Sequence, residues 1–316
     1  MGYDLVVLGD LVVDLIVPIE QLPLRPNQHG WAGGLFVEPG GAGNVLVAAR
    51  RLNLATATLG AVGEDAYGAQ MLAMLADMGV EIGHALVCPG RETVRCMVLA
   101  DQIGQHVYLG IKDGHGRWPY AAGWADIIRG ARALFADGYT VRDVLAPADS
   151  LVALHTAQRA GVPVFFDPGP SVEFIAAELC AQVLAATDVL LLTDEEAAFL
   201  CGPLAHADVV RALLARGPRM VVLKLGAAGC LVATDEELIA HPGYAVEVID
   251  TVGAGDAFAA AFIAGWLRGG SLRDCAALAN ALGALTTTRR GAGTRIPGRD
   301  ELLKLLADDP AAHALA

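Results

Sequence analysis

Cationic residues are scarce in this chain of 316 residues: 22 Lys and Arg stand against 35 Asp and Glu, a formal net charge of -13. Nucleic acid is bound by clustered Lys and Arg, so that partner class is excluded at the level of overall charge, and any anionic ligand must be held locally. Cysteine is also sparse. Its six copies, Cys88, Cys96, Cys180, Cys201, Cys230 and Cys275, stand singly, with no CxxC pair and no regular spacing. Isolated cysteines of this kind are expected as buried free thiols, which fits a reducing cytoplasm. Long apolar runs are missing as well: the longest, such as 257–267, fall short of the ~20 residues that a membrane span needs. The opening run 5–19 carries Asp10 and Asp14, has no basic residue before it and no small-residue cleavage site, so it does not read as a signal peptide. A soluble, cytoplasmic protein with no membrane partner is the expectation.

What is present is the composition of a folded enzyme. Hydrophobic residues make up 54% and charged residues 18%, which suits strands buried on both faces of a sheet. One core domain over residues 1–316 with an appended lid is expected. The run 4–9 (DLVVLG) reads as a buried strand and 11–17 as a second. Pro23, Pro26, Gly30, Gly33 and Gly34 then punctuate a loop or small exposed sheet. Helix 44–52, strand 56–62 and helix 67–78 alternate, which predicts a parallel sheet. Runs 93–99 and 106–111 read instead as an antiparallel hairpin. Together with the early irregular stretch they form the expected lid, about 12–37 and 93–112. Beyond Pro119 the alternation resumes, with strands near 133–136, 162–166, 188–192 and 220–224, and implies a doubly wound sheet. Segments 230–234 and 245–248 read as an antiparallel tail, and helices 257–267 and 273–287 close the chain.

The segment 246–256 (VEVIDTVGAGD) reads as a strand that breaks into a glycine-rich turn opening onto helix 257–267. Small residues Gly253, Ala254 and Gly255 leave backbone N–H groups unobstructed at a helix N-terminus, where unpaired donors and the positive end of the helix dipole suit an anion. Asp256 stands at the same turn, where the dipole favours its ionised form, so it can accept a proton from a substrate hydroxyl. An isolated turn of this composition serves equally well as a simple helix cap.

The full order of residues in DTVGAGDAFAAAF resembles the second signature of the ribokinase (PfkB-type) carbohydrate kinase family. The resemblance implies a ribokinase-like, doubly wound three-layer α/β fold with a central, mostly parallel sheet and a small β-sheet lid. It also implies Asp256 as catalytic base, Gly253, Ala254 and Gly255 as the anion hole, and Asp250 with Thr251 near the phosphates and a monovalent-cation (K+) site. The segment 40–44 (GGAGN) resembles the substrate-side signature, one residue shorter than the form with three residues between the glycines and the asparagine. Gly40 and Gly41 let backbone approach a ligand, and Asn44 can donate to and accept from sugar hydroxyls. Asp14 matches the acidic residue that binds substrate hydroxyls, with Asp10 the competing choice.

Residues 192–202 (LTDEEAAFLCG) resemble the segment that organises Mg2+ through water, Thr193 replacing an asparagine and Glu196 keeping the glutamate. Lys224, Gly226 and Gly229 in KLGAAG resemble the ATP-contacting strand end, and Asn280 with 289–292 the enclosure of adenine. The implied cofactors are ATP and Mg2+, and the lid implies a possible homodimer. A dinucleotide-binding reading fails, because Leu46 and Phe258 occupy the third glycine position of each GxGxxG. The expected reaction is ATP-dependent phosphorylation of an unphosphorylated small sugar or polyol. The alternatives are a nucleoside kinase, with Trp31, Phe36 and Trp118 available for an aromatic slot, and a non-catalytic nucleotide or sugar sensor. A phosphorylated acceptor needs extra cations, and Lys112, Arg95 and Arg25 are the ones available.

Overall fold

Runs of Val and Leu too short for helices, buried on both sides, begin the chain's main sheet. In the computed structural model, which describes residues 2–27 and 29–316, they form β1 (Leu5–Leu8), followed by β2 (Leu11–Pro18) and β3 (Phe36–Gly41). The small residues of GGAGN then open α1 (Ala42–Arg51). Strands β4 (Thr56–Leu59) and β5 (Ala61–Gly63), helix α2 (Ala66–Asp77), and strands β6 (Leu86–Cys88), β7 (Arg95–Ala100) and β8 (His106–Ile111) complete the first part. The second part runs α3 (Trp124–Arg129), β9 (Leu134–Asp137), α4 (Pro147–Ala160), β10 (Val164–Asp167), α5 (Ala177–Ala185) and β11 (Val189–Thr193). After α6 (Asp194–Cys201) and α7 (His206–Leu214) come β12 (Met220–Lys224), β13 (Cys230–Ala233) and β14 (Leu238–His241). Four helices finish the chain: α8 (Ala254–Leu267), α9 (Leu272–Thr286), α10 (Arg299–Leu305) and α11 (Pro310–Leu315).

The main sheet has the order β14-β13-β12-β11-β10-β9-β1-β4. Strands β12 through β4 are parallel, and β13 and β14 are antiparallel additions at one edge. Alternate residues of one strand feed two cores. Leu5 and Val7 of β1 pack with Leu46 of α1, Phe262 of α8 and Leu278 of α9, whereas Val6 and Leu8 pack with Ile128 of α3, Leu154 of α4 and Val183 of α5. That alternation makes the three layers. A separate four-stranded sheet has the order β3-β2-β7-β8, with β7 and β8 forming the expected antiparallel hairpin.

Four expectations need correction. Residues 245–248 are not a strand: the turn in which Thr234 N–H donates to Glu237 O at 2.9 Å folds β14 directly back onto β13, so the sheet edge is taken before 245 is reached. Segment 246–250 runs on outside the sheet, Ile249 and Asp250 donating to Thr287 O at 2.8 and 3.1 Å. The strand expected over 56–62 breaks at Gly60, where a side chain would meet Gly9 O at 2.8 Å, and its halves β4 and β5 join different sheets. Helices α10 and α11 extend the chain beyond the two closing helices expected. All six cysteines are free, but only Cys180, Cys230 and Cys275 are buried, the others being half-buried. Among the described residues, no single helix is long and apolar enough to cross a membrane.

Candidate active site

The carboxyl ends of the parallel strands deliver their polar residues to one edge of the main sheet, the place where open α/β sheets bind ligands. Asp137 ends β9, Asp167 ends β10, Thr193 ends β11 and Lys224 ends β12, while Asp10 follows β1. A cavity of about 960 Å³ lies there, lined by Asp10, Asp14, Asn44, Thr251, Gly255 and Asp256 among others. Gly41, Gly253, Arg95, Lys112 and Trp118 also reach its wall.

Asp256 stands in the first turn of α8, which begins after Gly253 in the left-handed region (φ 71°). A side chain at Gly253 would overlap the Cβ of Ala292, so the position requires glycine on two counts. Helix α8 is apolar all round and buried along most of its length, and this burial fixes its N-terminus against the cavity. Ala254 N–H turns back to Thr251 O at 3.2 Å, so of the three anion-turn residues it is Gly253 and Gly255 that line the cavity. Asn44, near the start of α1, donates from Nδ2 to Asp256 Oδ2 at 2.8 Å and accepts from Gly293 N–H at 2.9 Å. Burial pushes the Asp256 carboxyl up to about 6, the Asn44 hydrogen bond and Lys224 opposing the rise and Asp167 adding to it.

Asp14, on β2, is 9% exposed. Burial, Asp256 and Glu38 push its carboxyl up to about 7. Gly40 makes room for it: a Cβ there would overlap the Asp14 carboxylate. Gly41 has φ 54°, and a side chain on it would meet Asp10 O at 2.6 Å. Asp10 and Asp14 both line the cavity. Asp10 Oδ1 is buried without a hydrogen-bond partner, and burial with Asp137 beside it raises this carboxyl to about 7.

The remaining positions divide. Lys224 Nζ lies 2.6 Å from Asp167 Oδ2 in a buried ion pair. Glu196 and Thr193 form a reciprocal capping box at the start of α6, Thr193 N–H donating to Glu196 Oε2 at 2.8 Å and Glu196 N–H to Thr193 Oγ1 at 3.2 Å. Burial raises the Glu196 carboxyl, with Asp167 contributing. Asp250 is turned onto backbone, accepting from Val252 N–H at 2.9 Å and Gly291 N–H at 2.7 Å. His106 Nε2 lies 3.0 Å from its Oδ1 without meeting hydrogen-bond geometry. Asn280 faces inward, donating to Ala276 O at 2.8 Å and Cys230 Sγ at 3.1 Å. Gly226 and Gly229 both have positive φ, and Gly229 packs tightly beneath the β14 end, where a side chain would overlap His241 O. Among the described residues, no group of three His, Cys, Asp or Glu side chains is placed to hold a metal ion.

Of the aromatic residues considered for a base-stacking slot, Trp118 is buried beneath Arg91, Phe36 is covered by Arg295, and Trp31 is 95% exposed. The structure does not gather them. Lys112 and Arg95 reach the cavity wall and Arg25 does not. Sequence reasoning overlooked Asp137 and Asp167. Their signal was available, an acid closing each of two strands of a parallel sheet.

The pfkB family carbohydrate kinase model matches residues 3–299. An ATP-dependent ribose-1-phosphate kinase of Halopiger xanaduensis is 32% identical over 300 residues, covering 95% of this chain and 97% of that one. A ribokinase of Arabidopsis thaliana, solved with ribose and ATP, superposes with a TM-score of 0.83 at 26% identity over 97% of this chain and 99% of that one. A ribokinase-type chain from E. coli, solved with ATP and Mg2+, gives a TM-score of 0.82 at 22% identity, covering 98% of this chain and all of that one.

Proposed function

The chain belongs to the pfkB family of carbohydrate kinases, and we propose that it transfers the terminal phosphoryl group of ATP to a hydroxyl of a small sugar or polyol, with Asp256 as base. The observation that carries this reading is the placement of Asp256: held by Asn44, in the first turn of α8, on the wall of a cavity that also contains Asp14. Asp14 accepts hydrogen bonds from acceptor hydroxyls. Asp256 takes the proton of the reacting hydroxyl as the new O–P bond forms and the bond to ADP breaks. Donors at the Gly253–Gly255 turn face the charge that spreads over the transferred oxygens.

Mg2+ coordinated to the ATP phosphates would neutralise part of that charge. Glu196 fits a role in holding it through water, because the capping box occupies only Oε2. Asp250 accepts one N–H on each of its oxygens, which leaves further lone pairs for a cation; its carboxylate ties the anion turn to the 288–292 loop. The four-stranded sheet acts as the lid over the acceptor. Its outward residues Val107 and Leu109 are exposed and suit a second copy of the chain.

A second reading, a sugar monophosphate as acceptor, has a specific observation behind it: Lys112, one residue beyond β8, reaches the same cavity wall as Asp14. The Halopiger xanaduensis relative, named for such a substrate, supports it. The test is ADP release with Mg-ATP over D-ribose, D-fructose, ribose 1-phosphate, sugar acids, polyols and nucleosides. Turnover is expected on a sugar or sugar phosphate, and none on any acceptor overturns the kinase reading.

A further inference from the structure

The mechanism above leaves Asp167 without a task, although this carboxylate is 7% exposed and lies on the cavity wall. Its Oδ1 accepts from Gly169 N–H at 3.1 Å, which fixes the side chain, and its Oδ2 meets Lys224 Nζ at 2.6 Å. A Cβ on Gly255 would lie 3.5 Å from that Nζ. The ammonium therefore sits against the anion turn itself, held there by Asp167. Burial works against the charge on Lys224, but Asp167 first and then Glu196 hold its pKa above the ordinary lysine range. A buried ion pair is rarely more stabilising than an apolar pair of the same volume, so stability alone is a weak reason to place one here.

Resting on the kinase reading, we propose that Lys224 is a catalytic cation for the transferred phosphoryl group and that Asp167 is the positioning residue that keeps it at the anion turn. When ATP enters, the ammonium shifts hydrogen bonds from Asp167 to oxygens of the terminal phosphate. The acceptor oxygen bonds to phosphorus, the bond from phosphorus to the ADP oxygen breaks, the hydroxyl proton passes to Asp256, and Lys224 surrenders no proton. In a site from which water is excluded, a fixed positive charge aimed at those oxygens counts for more than it would in water. The same pair bears on the base, Lys224 favouring ionised Asp256 and Asp167 opposing it.

The experiment compares wild type, Lys224→Met, Asp167→Asn and the double variant Lys224→Met/Asp167→Asn, using whichever acceptor of the panel above wild type turns over fastest. Lys224→Met is expected to lower kcat by about 10²- to 10³-fold, the usual effect of losing one charge-stabilising donor, with a much smaller change in KM for ATP. Each single variant leaves a buried polar group without its partner and lowers Tm. The double variant leaves no unpaired charge and regains Tm, while its kcat stays as low as that of Lys224→Met. Recovery of both Tm and kcat in the double variant would show the pair to be structural and overturn the proposal. Wild-type kcat in folded Lys224→Met would overturn it as well, without touching the kinase reading. Absence of wild-type turnover on every acceptor would remove that reading and this inference with it.

Discussion

Asn44 Nδ2 donates to Asp256 Oδ2 at 2.8 Å, joining the N-terminal ends of α1 and α8 across 212 positions of sequence. The amide is oriented by its other end, because Asn44 Oδ1 accepts from Gly293 N–H. Its nitrogen is thereby committed to the carboxylate, and a donor aimed at a carboxylate favours the ionised, basic form. Substrate-side and phosphate-side motifs thus meet in one hydrogen bond.

Asp256→Asn removes the base and keeps the size of the side chain. We expect kcat to fall by about 10²- to 10⁴-fold, the range for losing a general base. Steady-state kinetics combined with direct titration of Mg-ATP binding will check this, the binding constant staying near the wild-type value.

The pH dependence of turnover follows from the state of that base. Burial places the Asp256 carboxyl at about 6, and only the carboxylate accepts a proton. Activity should rise as pH passes upward through about 6 and then level off. Asn44→Ala deletes the hydrogen bond that favours the charged form, so the midpoint of the kcat/KM profile should move to higher pH. An unshifted midpoint would mean that Asn44 does not tune the base.

Stability should depend on pH in the opposite sense from the usual carboxylate. Burial is the largest cause in each of Asp10 and Asp14, raised to about 7, and Asp137 and Asp256, raised to about 6. The native state therefore binds more protons than the unfolded chain, and the stabilisation present below the unfolded value near 4 is lost as pH rises through 6 to 7. Tm of the ligand-free protein should fall between pH 5 and pH 8. His241, lowered by burial, works the other way in that window, so the informative comparison is Asp14→Asn, whose Tm should decline less steeply than wild type.

Gly40→Ala should damage acceptor binding selectively. The added methyl would overlap the Asp14 carboxylate, which must then turn away from the cavity. We expect KM for the acceptor to rise by roughly tenfold or more, about what losing one hydrogen bond to a charged group costs, with KM for ATP within a factor of two or three. Equal effects on both constants would point to a general distortion of β3.

The alternation of strands and helices, the antiparallel hairpin of β7 and β8, and the motifs GGAGN and DTVGAGD were legible from residue order. Each depends on neighbours within a few positions: β-branched runs, glycines that permit a turn, small residues at a helix start. The capping box of Thr193 and Glu196 belongs to the same class, since its partners lie three residues apart. What the tertiary structure alone decided involves partners far apart in the chain. It turned Asp250 onto the backbone of Gly291 and Asn280 inward to Cys230. It brought Lys224 to Asp167 across 57 residues, and it sent the two halves of 56–62 to different sheets. A polar side chain that loses water takes whichever partner the packing of distant elements brings within hydrogen-bond reach, and local sequence carries no record of that choice.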